Sequence, residues 1–514
     1  MQQQLLETIP TDKYDLLSRD EAVQVAKDYG NLVIQMQKAL DEAYAKITAC
    51  EQKTFLLEEQ TLLINNKIFG RSSEKSDRKA GKKKDRKSPR KRVQLPSERY
   101  PNVDILEKDV TLDELPSCPC CSKEMKDSGL TEDSEYLTVI PRKFFVVRQK
   151  RHKYRCSSCQ DSLVTAPLIP RIKPGSSYSD EMIVDVALSK YCDLIPVERY
   201  AQMAARDGVS GIPANSLIQG THNVADFLED VHLKIKVEVF SEEVIHADET
   251  PHRMLEGDKK KGWSLWGFSS DSAAYFDARD TRSGDVASEL LKGSNCKYLV
   301  SDVFSGYKKA VNVTNIYRKE KELPLIKNVY CNAHARRKFK ESSKSYSDES
   351  ELFLWCYRKI YRLEKLRLDA DYLKTYDLDQ IRQWQRDYFK IMLKLGDKYR
   401  FSYSEQSSLV KAIKYFSRNF DELTLFLKYQ YVPIDNNSQE RLMRPPVIGR
   451  KTWYGTHSKR GAKTNTVIFS LVESCKLNKV NPREYFKEIV HAKHEKRPIF
   501  TPAEYKKLKT EKIA

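Results

Sequence analysis

The sequence has no apolar run long enough to cross a membrane and opens without an export signal. A membrane-spanning helix needs roughly 18 or more consecutive apolar residues, and no stretch of these 514 residues reaches that length. The first residues, MQQQLLETIPTDKYD, lack the basic and then apolar segments of a secretory signal. We therefore expect a cytoplasmic protein.

Other features that the sequence lacks limit the kinds of reaction and structure that we expect. No serine or tyrosine nucleophile motif stands out, which argues against a covalent enzyme intermediate. The eleven cysteines are odd in number and scattered, so in a reducing compartment they are expected to be thiols or metal ligands rather than disulfides. Between Ala335 and Val432 there is no proline and one glycine, Gly396, which favours a helical segment.

Positive charge is concentrated in one segment. The formal net charge is +18, and residues 67–92 contain 13 Lys or Arg against three acids. Such a segment cannot bury a core, so we predict a basic disordered linker over residues 71–100. Contact with DNA phosphates is favoured over the alternative of a solvated connector without a partner. The residues predicted to contact DNA here are Lys82, Lys83, Lys84, Arg86 and Arg90.

Residues 1–70 have the pattern of a helical coiled coil. Apolar or small residues alternate at spacings of three and four over five heptads, although two of the positions are threonines. A homodimer or higher oligomer is favoured, because no other apolar segment nearby offers an intramolecular partner; a helix packed on its own protein is the alternative. The seam is Val33, Met36, Leu40, Ala43, Ile47, Cys50, Thr54, Leu57, Thr61, Ile64 and Ile68.

Two C-x-x-C pairs lie within residues 101–172. Four thiolates complete a tetrahedral structural zinc site and leave no open position for catalysis, so we predict a zinc ribbon-like module with one structural Zn²⁺. A redox pair would usually stand alone. Cys120 and His152 are spare candidates for the ligand set. The predicted ligands are Cys118, Cys121, Cys156 and Cys159.

Residues 173–240 predict a helical region. The stretch LIPVERYAQMAARDGVSGIPANSLIQGTHNVADFL indicates a helix, a glycine-containing turn and a second helix that begins near Pro213 to Ser216. This order is that of a DNA-binding helix-turn-helix. An ordinary helical hairpin in a core fits equally well.

The apolar period then changes from 3.6 to 2. Five short runs predict strands, with one helix before the fourth, which is the order of an RNase H-like α/β domain. We place this catalytic domain at residues 241–455, with a helical insertion at 341–430, and a C-terminal helical segment at 456–514. The chain as a whole is predicted to be multidomain α/β. The strand runs are EEVIHADET, GWSLWGFSS, SAAYFDAR, KYLVSDVF and KNVYCNAH.

Three acids stand where such a domain could bring them together. Asp248 and Asp302 each close an apolar run, so we place both at the C-terminal ends of strands, the first and the fourth. Glu440 lies early in a helical segment opened by a polar cluster. Converging carboxylates can hold two divalent cations for phosphodiester chemistry. The pattern favours an enzyme that cuts and joins DNA with two Mg²⁺ or Mn²⁺ ions.

Each acid also has an ordinary structural interpretation. Asp302 could cap the helix that follows, Glu440 could complete a capping box, and Asp248 could cap a turn. Their joint placement favours the metal site. Glu249 competes with Asp248 for the role, but would point to the opposite face if the strand continues.

Basic residues flank the acids in the sequence. Arginine forks match phosphate oxygens, so we predict DNA contacts here too. His334 could contact a phosphate or assist proton transfer, and a purely structural histidine is the alternative. Cys331 does not indicate a second zinc site, because no paired ligands accompany it. The predicted contacts are Arg336, Arg337, Arg441, Arg444, Arg450 and Lys451.

These motifs resemble the large transposases of the insertion sequence 66 family, bacterial members of the DDE class. The matching blocks, in the family order, are IFGRSSEK, the two cysteine pairs, HADETP, SDVFSGY, CNAHARRKF, NNSQERLMRPPVIGRK and SLVESCKLNKVNPREYF. Two segments depart from the family pattern. They are SLIQGTHNV, where members often have a tryptophan, and TWYGTHSKRGA after GRK.

The resemblance implies a DNA transposase that binds terminal inverted repeats and target DNA, with Asp248, Asp302 and Glu440 as the metal-binding acids. It also implies an N-terminal zipper, a zinc module, accessory proteins of the same element, and a place in the bacterial cytoplasm, at the nucleoid when DNA is bound. Two alternatives are a catalytically inert DNA-binding or regulatory protein and an RNase H-like nuclease or resolvase.

Overall fold

The computed structural model describes most of the chain, and its contacts divide the chain into two compact units. The larger unit comprises Met1–Gly70, Arg151–Arg206 and Ser210–Ala514, and the smaller comprises Arg71–Lys150 and Asp207–Val209. The described residues are 19–69, 95–101, 103–110, 116–117, 119–120, 122–125, 134–139, 142–155, 163–256 and 262–513.

Helix α1 (Arg19–Phe69) is continuous over 51 residues, about 75 Å at 1.5 Å per residue. The large side chains described on its predicted seam are at least half exposed, while the isoleucines of the seam lie outside the described side chains. The described part of the seam is thus uncovered, as a coiled coil with a partner would need, and pairing itself stays a prediction. The exposed seam residues are Val33, Met36, Leu40 and Leu57.

Short antiparallel pairings flank both cysteine pairs. In the smaller unit, helix α2 (Pro96–Arg99) precedes an isolated bridge between Ser117 and Glu124. In the larger unit, strands β1 (Lys153–Arg155) and β2 (Leu163–Thr165) form a two-stranded sheet. The four predicted zinc ligands themselves lie outside the described residues, as does the basic segment at 71–94.

Four helices precede the main sheet, within the predicted helical region. Gly220 lies on the third of these helices, and a Cβ there would come within 2.5 Å of the Ile183 side chain. One face of this helix is therefore packed in the core, and a DNA-reading role for it stays a prediction. The helices are α3 (Asp180–Tyr191), α4 (Val197–Arg206), α5 (Ala214–Phe227) and α6 (Glu229–Phe240).

A five-stranded mixed sheet follows. Its strands are β3 (Val244–His252), β4 (Trp263–Ser269), β5 (Ala274–Arg279), β6 (Tyr298–Ser301) and β7 (Lys327–Tyr330). Their order is β5-β4-β3-β6-β7, antiparallel from β5 to β3 and parallel from β3 to β7. All five predicted strands are present, with the first and fourth adjacent. The end of KNVYCNAH was predicted wrongly, because a helix begins at Asn332.

Helices cover the sheet and form the predicted insertion. The apolar side chains of the insertion share one core cluster with Val300 of β6 and Val329 of β7. The insertion therefore packs against the β6–β7 part of the sheet. A 3₁₀ turn at Leu425–Leu427 ends it. The helices are α7 (Asp285–Leu291), α8 (Ser305–Glu320), α9 (Asn332–Ser342), α10 (Ser347–Leu366), α11 (Ala370–Leu373), α12 (Leu378–Arg400), α13 (Ser408–Arg418) and α14 (Phe420–Thr424).

The C-terminal helices are α15 (Asn437–Trp453), α16 (Lys459–Leu477), α17 (Pro482–His494) and α18 (Pro502–Ile513). Helix α16 closes the β5 edge of the sheet. The Ala274 N–H donates to Ser474 Oγ and the Phe276 N–H to Ser470 Oγ, both at 2.9 Å. These bonds satisfy donors that an open edge would offer to another strand. None of the helices in the described ranges is both long and apolar enough to span a bilayer.

Candidate active site

Asp248 and Asp302 lie side by side on neighbouring parallel strands. The β3–β6 pairing ends with His246 opposite Val300, and each aspartate lies two residues further along. Because side chains alternate along a strand and adjacent strands are about 4.8 Å apart, both carboxylates lie on the same face of the sheet and at the same height along the strands. Asp302 follows the last residue of β6, as predicted. Asp248 does not end its strand, because β3 continues to His252 against β4.

The three acids are electrostatically coupled. Burial, followed by the charges of Glu249, Asp302 and Glu440, raises the pKa of Asp248 from 3.8 to about 7. The Glu249 N–H donates to Asp248 Oδ1 at 2.9 Å and offsets part of this rise in pKa. Asp302 Oδ1 accepts a hydrogen bond from the Phe304 N–H at 3.1 Å. The charges of these carboxylates repel one another, and a bound cation would relieve the repulsion.

Asn436 fixes the start of α15 beside Asp248. Its Nδ2 donates to the Ala247 carbonyl at 2.8 Å, and its Oδ1 lies 2.8 Å from His246 Nδ1. The Glu440 N–H donates to the Asn436 carbonyl at 3.1 Å, so Glu440 lies one helical turn beyond this anchor. Sequence reasoning missed Asn436, which it treated only as part of a polar cluster that opens a helix.

Gly267 of β4 lets α15 approach the sheet at the level of Asp248. It is the register partner of Asp248 across the β3–β4 pairing. A Cβ at this position would lie 2.3 Å from Gln439 Nε2 and 2.6 Å from Met443 Sδ, both on α15. The approach of the helix that carries Glu440 therefore depends on the missing side chain.

Helix α9 brings two of the predicted residues to Glu440. His334 Nδ1 is 3.6 Å from Glu440 Oε1, and Arg337 Nη2 is 3.9 Å from Glu440 Oε2. Both distances exceed that of a hydrogen bond, so these contacts are electrostatic. Glu440 Oε1 and His334 Nδ1 are buried and have no hydrogen-bond partner among the described residues. The glutamate therefore keeps one oxygen available for coordination.

Cys331 also approaches this pair. Ligand atoms of Cys331, His334 and Glu440 all lie within 4.8 Å of one another. The thiol is buried and accepts a hydrogen bond from the Asn436 N–H at 3.2 Å, and burial raises its pKa to about 12. Without a metal the protonated thiol packs in the core as a hydrogen-bonded group. The absence of a second zinc site here stays a prediction.

Glu249 points away from Asp248 and has its own partner. Its side chain is 2% exposed, and its Oε1 accepts hydrogen bonds from Arg282 Nε at 3.0 Å and Nη2 at 2.6 Å. The Arg282 guanidinium lies 4.5 Å from the centroid of the Phe304 ring, and the Phe304 N–H binds Asp302. Glu249 is thus structural, and Arg282, which sequence reasoning missed, supports the loop that carries Asp302.

Comparison with known families identifies the chain. The model described as "Transposase IS66 family" matches residues 175–464, more than half of the chain and all of the acids described above. The chain belongs to the IS66 transposase family. A second model, "zinc-finger binding domain of transposase IS66", matches residues 116–160. The resemblance inferred from the motifs is confirmed.

Three proteins of Sinorhizobium fredii are similar to this IS66 family member, each at 26% identity. Uncharacterized protein y4hP aligns over 415 residues, covering 76% of this chain and 73% of its own. Uncharacterized protein y4jD aligns over 388 residues, covering 73% of this chain and 74% of its own. Uncharacterized protein y4qI aligns over 387 residues, covering 73% of this chain and 70% of its own. These names assign no activity, so the site must be argued from its own residues.

The zinc-finger match spans all four predicted zinc ligands of this IS66 family member. It supports a structural zinc in this part of the chain, which four thiolates would complete. Cys120, the spare candidate between them, is exposed.

The predicted DNA contacts fall into separate groups. Arg336 and Arg337 lie on α9, where Arg337 approaches Glu440, while Lys82, Lys83, Lys84, Arg86 and Arg90 of the basic linker lie outside the described residues. On α15, Arg441 and Arg444 are exposed. Arg450 and Lys451, near the end of that helix, line a cavity of about 550 Å³.

Proposed function

We propose that this IS66 family member is a DNA transposase that binds the terminal inverted repeats of an insertion sequence and catalyses strand cleavage and strand transfer with two divalent metal ions. The observation that carries the proposal is the placement of Asp248 and Asp302 at the same height on adjacent parallel strands. Glu440 lies one helical turn beyond Asn436, which binds the backbone next to Asp248. The strand order, with the first strand between the second and the fourth, supports an RNase H-like core.

The residues present fit hard divalent cations. Carboxylate oxygens are the ligands that Mg²⁺ and Mn²⁺ prefer. Asp248 interacts with both other acids, so it would be the shared ligand, and Asp302 and Glu440 would each complete one coordination sphere. Cations bound in this way activate the attacking oxygen and stabilise the leaving oxygen of a phosphodiester.

The residues of α9 would act on Glu440 and on the DNA backbone. His334 lies 3.6 Å from Glu440, where it can orient the carboxylate or pass a proton to solvent. Arg336 and Arg337 on the same helix can neutralise a phosphate beside the reacting bond. The attacking group is water and later a DNA 3′-hydroxyl, so no covalent protein–DNA intermediate is needed.

The rest of the chain would bring DNA and partners to this site. The basic linker at 71–100 supplies phosphate contacts without sequence preference, and the zinc module and the α4–α5 pair are candidates for binding element ends. The exposed seam of α1 fits a homodimer or higher oligomer. Accessory proteins of the same element are further candidate partners. The proposed location is the bacterial cytoplasm, at the nucleoid when bound to DNA.

The test is a strand-cleavage assay with the purified full-length protein and duplex DNA that carries the element ends. With Mg²⁺ we expect nicks at the 3′ ends of the element, followed by joining to target DNA, and no product in EDTA. Binding without cleavage in Mg²⁺ or Mn²⁺ would favour a regulatory protein. Cleavage unrelated to the element ends would favour a general nuclease.

Replacing Gly267 by valine is expected to displace α15 and Glu440 with it. Overpacking of a core site destabilises by about 1–3 kcal/mol, and a misplacement of about 1 Å can lower a catalytic rate ~10²-fold. Thermal unfolding and the nicking assay measure the two effects. Gly293→Val is the matched control, because nothing lies within 4 Å of a Cβ there. A folded Gly267→Val protein that cleaves at the wild-type rate would refute this role.

A further inference from the structure

A cavity of about 550 Å³ lies where β3 ends, beyond Asp248. His252 and Arg253 line one side of it, and Lys451 and Tyr454 from the end of α15 line another. At about 3.3 Å per residue, His252 is about 13 Å from Asp248 along the strand. The cavity is therefore within reach of DNA whose backbone is bound at the three acids.

The wall of the cavity is held by backbone contacts. The Thr456 N–H donates to the Arg253 carbonyl at 3.0 Å, and the Leu255 N–H donates to the Thr456 carbonyl at 2.9 Å. Gly455 has a φ of +112°, and a Cβ there would lie 2.2 Å from the Arg253 carbonyl oxygen, so only glycine fits. Tyr454 has a left-handed φ of +64° and is 68% exposed. The tyrosine ring is thus presented to solvent on a fixed loop.

The cavity carries positive charge without a matching acid. Its described lining includes Arg253, Arg450 and Lys451 and no carboxylate, and none of the three forms an ion pair with a described residue. Arg450 Nη1 donates to Thr250 Oγ1 at 3.2 Å, and burial lowers the pKa of its guanidinium. Burial and Arg450 lower the pKa of His252 to about 4, so this imidazole is neutral. Arg450 is partly buried, whereas Arg253 and Lys451 are exposed, and a partly buried cation is stabilised by an anion.

We propose that this cavity binds one unpaired nucleotide of the DNA substrate close to the cleaved bond, with its base stacked on Tyr454 and its phosphate held by Arg253, Arg450 and Lys451. This inference rests on the proposed function. Aromatic rings beside cations are how proteins hold single-stranded nucleotides, because every base has a face that stacks. Contacts to a duplex backbone alone would need the cations but not an exposed ring.

The Tyr454 ring also lies close to the guanidinium of Arg253. The Arg253 guanidinium lies 5.8 Å from the centroid of the Tyr454 ring, within the range of a cation–π contact. A base placed against the ring would therefore have its phosphate close to Arg253. A cavity of this volume is in the range of roughly 300–1,000 Å³ that small ligands occupy, so it has room for one nucleotide.

The test compares two element-end duplexes, one fully paired and one with a single mismatch beside the cleaved phosphate. A mismatched base leaves the helix more easily. We expect Tyr454→Ala to slow cleavage of the paired duplex roughly 5- to 100-fold, and the mismatch to restore part of that loss. Tyr454→Phe keeps the ring and should cleave both duplexes nearly as wild type does. Phe401→Ala, which removes a ring that is 85% exposed on the insertion, is the matched control.

Binding in metal-free buffer separates this inference from the proposed function. Wild type should bind the mismatched duplex more tightly than the paired one, as measured by fluorescence anisotropy, and Tyr454→Ala should lose this preference. Equal binding of both duplexes by wild type, or an equal loss of cleavage on both by Tyr454→Ala, would overturn the nucleotide site. A preference that depends on Tyr454 in a protein that never cleaves would instead overturn the transposase chemistry and leave the nucleotide site standing.

Discussion

Replacement of Asp248 by asparagine is expected to lower the rate of DNA cleavage by on the order of 10³-fold or more. Asparagine keeps the shape of the side chain but removes the charge that a pair of divalent cations requires. Both Asp302 and Glu440 raise the pKa of Asp248, so the carboxylate of Asp248 would be the ligand shared by the two cations. Nicking of a labelled element-end duplex at saturating Mg²⁺ measures the loss.

DNA affinity should change little in this variant, because Asp248 lies partly buried in the sheet and its proposed contact is with cations. Asp277→Asn is the matched control: it also removes a carboxylate from the sheet, on β5, where Asp277 pairs with Arg279 at 2.8 Å, and it should cleave normally. Wild-type nicking by Asp248→Asn would show that the acids are not the metal site. A joint loss of binding and of the unfolding transition would indicate misfolding instead.

Local sequence patterns were enough to place Asp302 and Glu440, but not to define the strand that carries Asp248. Asp302 directly follows a short apolar strand, and Glu440 follows a polar helix start. Strand β3 continues through Pro251 to His252 because Trp263 of β4 pairs with its last residue. The proline is tolerated because β6 no longer pairs with β3 at this level. That partnership depends on tertiary structure and leaves no local pattern.

The residues that position the acids were not predicted from the sequence, for the same reason. Asn436 binds the Ala247 carbonyl across 189 residues of sequence. Gly267 is needed because Gln439 and Met443 of α15 pack against it. Arg282 is needed because it pairs with the buried carboxylate of Glu249. Each position is decided by a distant contact, whereas periodicity reports only on neighbours in the chain. The acids could be proposed from the sequence, and their supporting contacts required the fold.

In metal-free buffer, the free energy of unfolding of wild type relative to Asp248→Asn should fall as the pH rises from about 4 to about 8. The pKa of Asp248 is raised from 3.8 to about 7 in the folded protein. The stability that the protonated group contributes is therefore complete below about pH 4 and is lost as the pH rises through about 7. At about 1.4 kcal/mol per pKa unit the difference is at most about 4 kcal/mol, and solvent access to the side chain reduces it.

The titration of histidines does not affect this difference in unfolding free energy. Burial lowers the pKa of His232 and of His252 to about 4, so both favour the folded state above their ordinary pKa and destabilise it as the pH falls. These contributions are present in wild type and in Asp248→Asn alike, and they cancel in the difference between the two free energies. Denaturant unfolding of both proteins across the pH range measures that difference directly. A difference that does not vary with pH would show that Asp248 has an ordinary pKa.

Saturating Mg²⁺ at about pH 8 should then stabilise wild type and leave Asp248→Asn nearly unchanged. A cation that binds only the folded state adds about 2.7 kcal/mol at a hundred times its dissociation constant. For a unit of more than 400 residues, at about 2.1 cal/mol/K of unfolding entropy per residue, this corresponds to a rise in Tm of about 3 °C. Binding also removes the repulsion that destabilises the metal-free acids, so the gap between the two proteins should close. Thermal unfolding in Mg²⁺ and in KCl of equal ionic strength separates this effect from screening. An equal rise in both proteins would place the cations elsewhere, and no rise in wild type would show that the three acids repel one another without holding a metal.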